Sequence, residues 1–125
     1  MYVAIVSKNP ETIRGFESYL RAAGVPSNCS RAIRGVEGIV PECATAAVIF
    51  PDDFGDADVL GFLRRMREDR PLLLAILVTR EPQRFQAATD PDGRSLPPLV
   101  LPRLSFGWDI LDVIRAHADA NVETT

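Results

Sequence analysis

The sequence predicts an α/β domain, a three-layer αβα sandwich built on a five-stranded parallel sheet. Short apolar runs alternate with stretches of helical periodicity along the 125 residues. Two of those runs, Thr45 to Phe50 and Leu72 to Val78, are apolar almost throughout, as suits strands covered on both faces. Proline or glycine punctuates the segments between them. Parallel strands joined by right-handed crossovers carry helices above and below the sheet, which gives the three layers.

Taken in order, Tyr2 to Val6 reads as a central strand. Pro10 stands where a helix begins, Ile13, Phe16 and Leu20 form its apolar stripe, and Gly24 closes it in the position glycine favours. A weak strand is expected over Asn28 to Ala32, then a short helix over Ile33 to Val40 that Pro41 ends. Thr45 to Phe50 is a buried strand stopped by Pro51. A helix from Asp56 to Asp69 follows, with Val59, Leu60, Leu63 and Met66 inward. Its acidic first turn and late arginines match the helix dipole. Leu72 to Val78 is the fourth strand, Glu81 to Ala88 another helix, and Thr89 to Pro98 irregular. Leu99 to Leu101 is the last strand. Ser105 is expected to cap a final helix through about Ala118, with Ile110, Val113 and Ile114 inward. Residues 1–120 form one domain, and 121–125 a polar tail or the start of a linker.

Composition excludes several classes. Net charge is −3, against the basic face that a nucleic-acid backbone requires. Thirteen of the fourteen basic residues are arginine, with Lys8 the single lysine. Arg64, Arg65, Arg67 and Arg70 are interrupted by Glu68 and Asp69, which makes them a solvated face. The longest apolar run is too short to span a bilayer, and no secretory signal is visible. Cys29 and Cys43 lack metal-ligand spacing and read as buried or half-buried free thiols. A cytoplasmic location is expected. His117, alone in the last helix, has no catalytic partner in sequence.

The loop after the first strand is the informative one. In an open α/β sheet it lies at the carboxyl edge of the strands, where chemistry is placed. An acidic pair there would hold a divalent metal; this chain has Ser7 and Lys8. Flavodoxin-like strand order, 2-1-3-4-5, is the expected version of the fold.

The landmarks resemble the receiver domain of bacterial two-component response regulators, over Tyr2 to about Ala118. Val3-Ala4-Ile5-Val6 with its polar triplet and Pro10 is similar to the family's first strand and acidic loop. Ala46-Ala47-Val48-Ile49-Phe50 resembles the strand that delivers the phosphoacceptor aspartate. Ile76-Leu77-Val78-Thr79 resembles the fourth strand with its terminal hydroxyl, and Leu99-Val100-Leu101-Pro102 the fifth. The gaps are 44 residues from Ser7 to Pro51, 28 on to Thr79 and 22 on to Leu101.

The residues that carry the family's chemistry mostly fail. The metal pair falls on Ser7 and Lys8, the acceptor on Pro51, the phosphate-sensing lysine on Leu101 and the aromatic switch on Pro98. Thr79 and Pro102 survive, and the resemblance implies a cis bond before Pro102. Phosphoryl transfer to a carboxylate needs Mg²⁺ in an oxygen-ligand array, which a lysine cannot organise. The resemblance therefore implies a degenerate receiver with no cofactor and no catalytic residue. Asp52 and Asp53 follow the lost acceptor by one and two positions. A register slip would let one of them serve as a substitute phosphosite; the simpler expectation is a loop leading into the next helix. A Ca²⁺ loop over Asp52, Asp53, Asp56 and Asp58 lacks the bidentate glutamate. Lys8 either pairs with Asp52 or Asp53 across the pocket or stands solvated at the loop edge.

Three functions follow from these residues. The first is a phosphorylation-independent signalling module that works by protein–protein contact through Arg84, Phe85, Arg103, Phe106 and Trp108. In receivers the fourth helix, fifth strand and fifth helix form such a face, so a homodimer or a fused effector domain is a possible partner, and membrane or direct nucleic-acid binding is not expected. The second is an atypical receiver that accepts phosphate at Asp52 or Asp53. The third is a small-ligand sensor using the vacated pocket around Ser7, Lys8, Pro51 and Thr79.

Overall fold

A computed structural model of the chain describes residues 1–33, 40, 43–70, 72–89, 98–102 and 107–123. Five parallel strands, β1 (Val3–Val6), β2 (Ser27–Ser30), β3 (Ala46–Ile49), β4 (Leu74–Thr79) and β5 (Leu99–Pro102), form one sheet in the order β2-β1-β3-β4-β5. The expected architecture and strand order are both present.

Strand alternation divides the core in two. Ala4, Val6, Ala47, Ile49, Ala75 and Leu77 face helix α2 (Asp56–Asp69). Val3, Ile5, Val48, Leu74, Ile76 and Val78 face α1 (Pro10–Ala22) and α3 (Gly107–Glu123). Every residue of β1, β3 and β4 is buried, which is why those strands read as continuous apolar runs.

Helix α1 is closed at both ends by local chemistry. Asn9 Oδ1 accepts from the Glu11 N–H at 2.9 Å, and Pro10 occupies the first helical position, where its missing N–H costs nothing. At the other end Gly24 has φ +77°, the Gly24 N–H donates to the Arg21 carbonyl, and the Val25 N–H donates to the Leu20 carbonyl at 2.8 Å. That is a Schellman cap, with Leu20 and Val25 buried in the same core.

Several expectations need correction. Leu60 is 45% exposed, and Phe62 takes its place, because Val59, Phe62, Leu63 and Met66 fall on one helical stripe. Leu72 is 72% exposed in the turn before β4, so that strand starts two residues later and runs on to Thr79. Leu111 is buried beside Ile110 and Ile114, while Val113 is only half-buried. Strand β2 begins at Ser27 and stops at Ser30. Pro82–Thr89 is 3₁₀ rather than α-helical. Helix α3 continues to Glu123, taking in the first three residues of the segment read as a polar tail. Cys29 and Cys43 are exposed, Cys29 because it stands on an edge strand. Among the described residues there is no cis peptide bond, so the Leu101–Pro102 bond is trans. The helix expected over Ile33 to Val40, the irregular Thr89 to Pro98 stretch and the Ser105 cap fall largely outside the described residues; Ile33 and Val40 themselves are buried.

Candidate functional site

Four chain segments meet at the carboxyl edge of the sheet: the loops after β1 and β4, the end of β5, and a 3₁₀ turn, Pro51–Asp53, that follows β3. Strand β3 lies between β1 and β4. A 3₁₀ turn has three residues per turn, so consecutive side chains leave it about 120° apart. Asp53 accordingly reaches toward β1 and Asp52 toward β4.

The two contacts are built alike. The Ser7 hydroxyl donates to Asp53 Oδ2 at 2.6 Å, and the Lys8 N–H donates to the same oxygen at 3.0 Å. The Thr79 hydroxyl donates to Asp52 Oδ1 at 2.6 Å, and the Arg80 N–H donates to Asp52 Oδ2 at 2.9 Å. Each hydroxyl also accepts the N–H two residues on, from Asn9 and Glu81 respectively, both at 3.1 Å. That second bond fixes the hydroxyl rotor, leaving its proton for the carboxylate. The 2.6 Å separations fall in the range for a hydroxyl bonded to an ionised carboxylate. Ser7 and Thr79 are the buried polar residues among those described, and both are fully buried.

Asp52 and Asp53 do stand in a short turn leading into α2, as expected, and the carboxylate of Asp53 is bonded to Ser7 and that of Asp52 to Thr79. Sequence reasoning missed the cause, which is the turn that Pro51 starts. Pro51 itself is buried and offers no nucleophile. The Lys8 ammonium sits over the Phe54 ring, 5.4 Å from its centroid, rather than on either carboxylate; only its backbone meets Asp53. Arg31 Nη2 donates to the Lys8 carbonyl at 3.3 Å and holds the loop from β2's side. Leu101 is packed half-buried against the α1/α3 core, and Pro102 is exposed at the end of β5.

The donor set does not fit Mg²⁺. That ion requires an octahedral shell of oxygens usually including one or two carboxylates. Here one of the two positions carries a lysine, and the Asp53 carboxylate is turned onto a hydroxyl and an amide. Among the described residues no cluster of acidic, histidine or cysteine side chains has the geometry of a metal site.

The residues expected to face a partner divide. Phe85 is 1% exposed and belongs to the core under α2, which removes it from any surface. Arg84 is exposed, pairs with Asp56 and with Glu81 (3.0 Å to the latter), and lies over the Phe85 ring. The Glu81 hydrogen bond is the main cause that raises the Arg84 pKa. Arg103 and Phe106 lie outside the described residues, and of Trp108 only the backbone, in the first turn of α3, is described.

No protein-family model and no curated protein matches the sequence. Solved structures do. A CheY-like response regulator receiver domain protein from Methanospirillum hungatei JF-1 superposes with a TM-score of 0.76 at 16% identity, covering 99% of this chain and 98% of that one. RcsB from Salmonella enterica serovar Typhimurium, solved on promoter P1flhDC with the phosphomimetic BeF3-, superposes with a TM-score of 0.72 at 16% identity. That match covers 96% of this chain and 61% of RcsB. In architecture and strand order, this chain has the fold of the CheY-like receiver domains.

Proposed function

We propose that this chain is a phosphorylation-independent signalling module of the response-regulator type, a degenerate receiver that acts by protein–protein contact and performs no phosphoryl transfer. The observation that carries this reading is the occupation of the edge site by its own side chains. Asp52 and Asp53 are each engaged by a buried hydroxyl and a backbone N–H, Pro51 stands at the acceptor position, and Lys8 at a metal position. A carboxylate held by two donors is a weakened nucleophile, and the two carboxylates at this edge are turned onto hydroxyl and amide donors instead of forming the oxygen array that a Mg²⁺ screening the incoming phosphoryl oxygens would need.

The fold supports the signalling class, and RcsB, a promoter-bound neighbour longer than the matched region, supports a fused effector as one kind of partner. Arg84, which is exposed, is the first residue to probe for partner contact, with Arg103, Phe106 and Trp108 kept as candidates from the sequence. No helix among the described residues is long and apolar enough to cross a membrane.

The test is the amide NMR spectrum of the chain before and after Mg²⁺ with beryllofluoride. The expected result is no change at Ser7, Asp52, Asp53 or Thr79. Shifts centred on those residues would overturn the reading in favour of phosphate acceptance at Asp52 or Asp53.

A further inference from the structure

Strand β2 forms one lateral edge of the sheet, with β1 on one side and, among the described residues, no strand on the other. The Val3 N–H donates to the Pro26 carbonyl and the Ser7 N–H to the Ser30 carbonyl, both at 3.1 Å. Backbone groups of alternate residues in a strand point to opposite sides. Those of Asn28 therefore face β1, and the N–H and C=O of Ser27 and Cys29 face outward. Edge strands are commonly blunted by lysine, proline or a bulge, whereas Ser27-Asn28-Cys29-Ser30 carries none of these.

Helix α1 adds a charge pattern along the same edge. Glu17 reaches the Cys29 thiol, while Arg21 lines, with Val25, Pro26 and Ser27, a groove of about 410 Å³ beside the strand. The carboxylate thus stands by Cys29 and the guanidinium by Ser27. A second chain added antiparallel about a twofold axis through Asn28 sets Ser27 opposite the partner's Cys29. Arg21 then meets the partner's Glu17, and each Ser27–Cys29 pair exchanges both of its N–H···O bonds. A register centred on Cys29 would set Glu17 against the partner's Glu17, like charge against like.

We infer that the free side of β2 is a docking surface for a second copy of this chain, joined as an antiparallel β2–β2 pair that sets Glu17 of each protomer against Arg21 of the other. Such a contact is isologous and closes on itself, so the outward backbone groups of both edges are consumed. It lies across the sheet from β5 and from Arg84. The inference deepens the protein-contact reading by naming one partner and rests on that reading for its role in signalling, but the two fail separately. A beryllofluoride response overturns that reading, whereas the association of the chain in solution decides this one.

The experiment is sedimentation equilibrium of the full chain under reductant, paired with amide hydrogen exchange at low and high protein concentration. The native chain forms a concentration-dependent dimer, in which the Ser27 and Cys29 amides exchange more slowly than in the dilute chain. Arg21→Glu sets acid against acid at both symmetric contacts and weakens association roughly tenfold, and Glu17→Arg/Arg21→Glu restores it. Cys29→Pro removes an outward N–H without touching the ladder to β1, and abolishes the dimer. A native chain that is monomeric at about 1 mM overturns the inference. So does a dimer whose Ser27 and Cys29 amides gain no protection, or a double charge swap that fails to restore association. Should Cys29→Pro not fold, Cys29→Lys blocks the edge and keeps the backbone N–H. Loss of the dimer in that variant supports the β2 contact, and a dimer that survives it overturns the contact.

Discussion

Ser7 and Asp53 stand 46 positions apart in the sequence and 2.6 Å apart in space. The hydroxyl that joins them is fully buried and also accepts the Asn9 N–H, whose residue caps α1. One serine thus ties the end of β1, the start of α1 and the turn after β3. Thr79 and Asp52 do the same on the other side of β3, at a separation of 27 positions.

Removing either hydroxyl takes a 2.6 Å hydrogen bond away from a half-buried carboxylate. Ser7→Ala and Thr79→Val are each expected to destabilise the chain by about 1–3 kcal/mol. Urea unfolding checks both values. A double-mutant cycle of Ser7→Ala with Asp53→Ala should return a coupling energy above about 0.5 kcal/mol, as for groups in direct contact. Independent, additive effects would contradict the bond.

Phe85 and its neighbour Arg84 separate core from surface. Phe85→Ala should cost about 3–5 kcal/mol, the range for deleting a buried aromatic. Arg84→Ala should barely change stability, because its ion pairs with Asp56 and Glu81 are exposed and screened by solvent. Comparable losses from the two variants would place Phe85 outside the core.

The two ends of α1 give a local check. Asn9→Ala should cost about 1 kcal/mol through loss of the side-chain cap. Gly24→Ala should cost about 1–2 kcal/mol, since φ of +77° is a conformation an L side chain adopts only at a penalty. Nothing lies within 4 Å of a β-carbon at Gly24, so the cost there is conformational and not steric. Thermal unfolding of the two variants measures both.

Cys29 yields a pH prediction. Desolvation first, and then the charge and hydrogen bond of Glu17, raise its thiol above the ordinary value. The thiolate is the nucleophile, so at any pH between the ordinary and the raised value less of it is present than in a free cysteine. Iodoacetamide alkylation in a Cys43→Ser background should therefore rise at higher pH than for a model thiol. Glu17→Gln should bring the profile part of the way back.

How far the sequence specifies this structure varies by element. Strands β1, β3 and β4 were legible because burial on both faces requires continuous apolar residues. Strand β2 was barely so: Ser27-Asn28-Cys29-Ser30 has no apolar pattern, and pairing with β1 decides its conformation. The inward stripe of α2 was legible except at Leu60, where Phe62 is buried instead, since several apolar residues on one helix allow more than one choice. At the edge, the fold placed Ser7, Pro51 and Thr79 together in advance. The direction of Asp52 and Asp53 depended on a 3₁₀ turn of three residues, below the length at which periodicity carries any signal. The Asn9 cap was the opposite case, an Asn-Pro pair at a helix start that was readable and overlooked.

The wide sequence separation of the edge contacts bears on time as well as on stability. Each aspartate reaches its hydroxyl only after β3 has aligned with β1 on one side and β4 on the other, so long loops must close before either bond can form. We expect contacts of that kind to form late, after the rate-limiting barrier to folding. Losing Ser7 or Thr79 should then leave the refolding limb of a chevron nearly unmoved and raise the unfolding rate. The clasp at the sheet edge would act chiefly on the lifetime of the folded chain and little on how quickly it is reached.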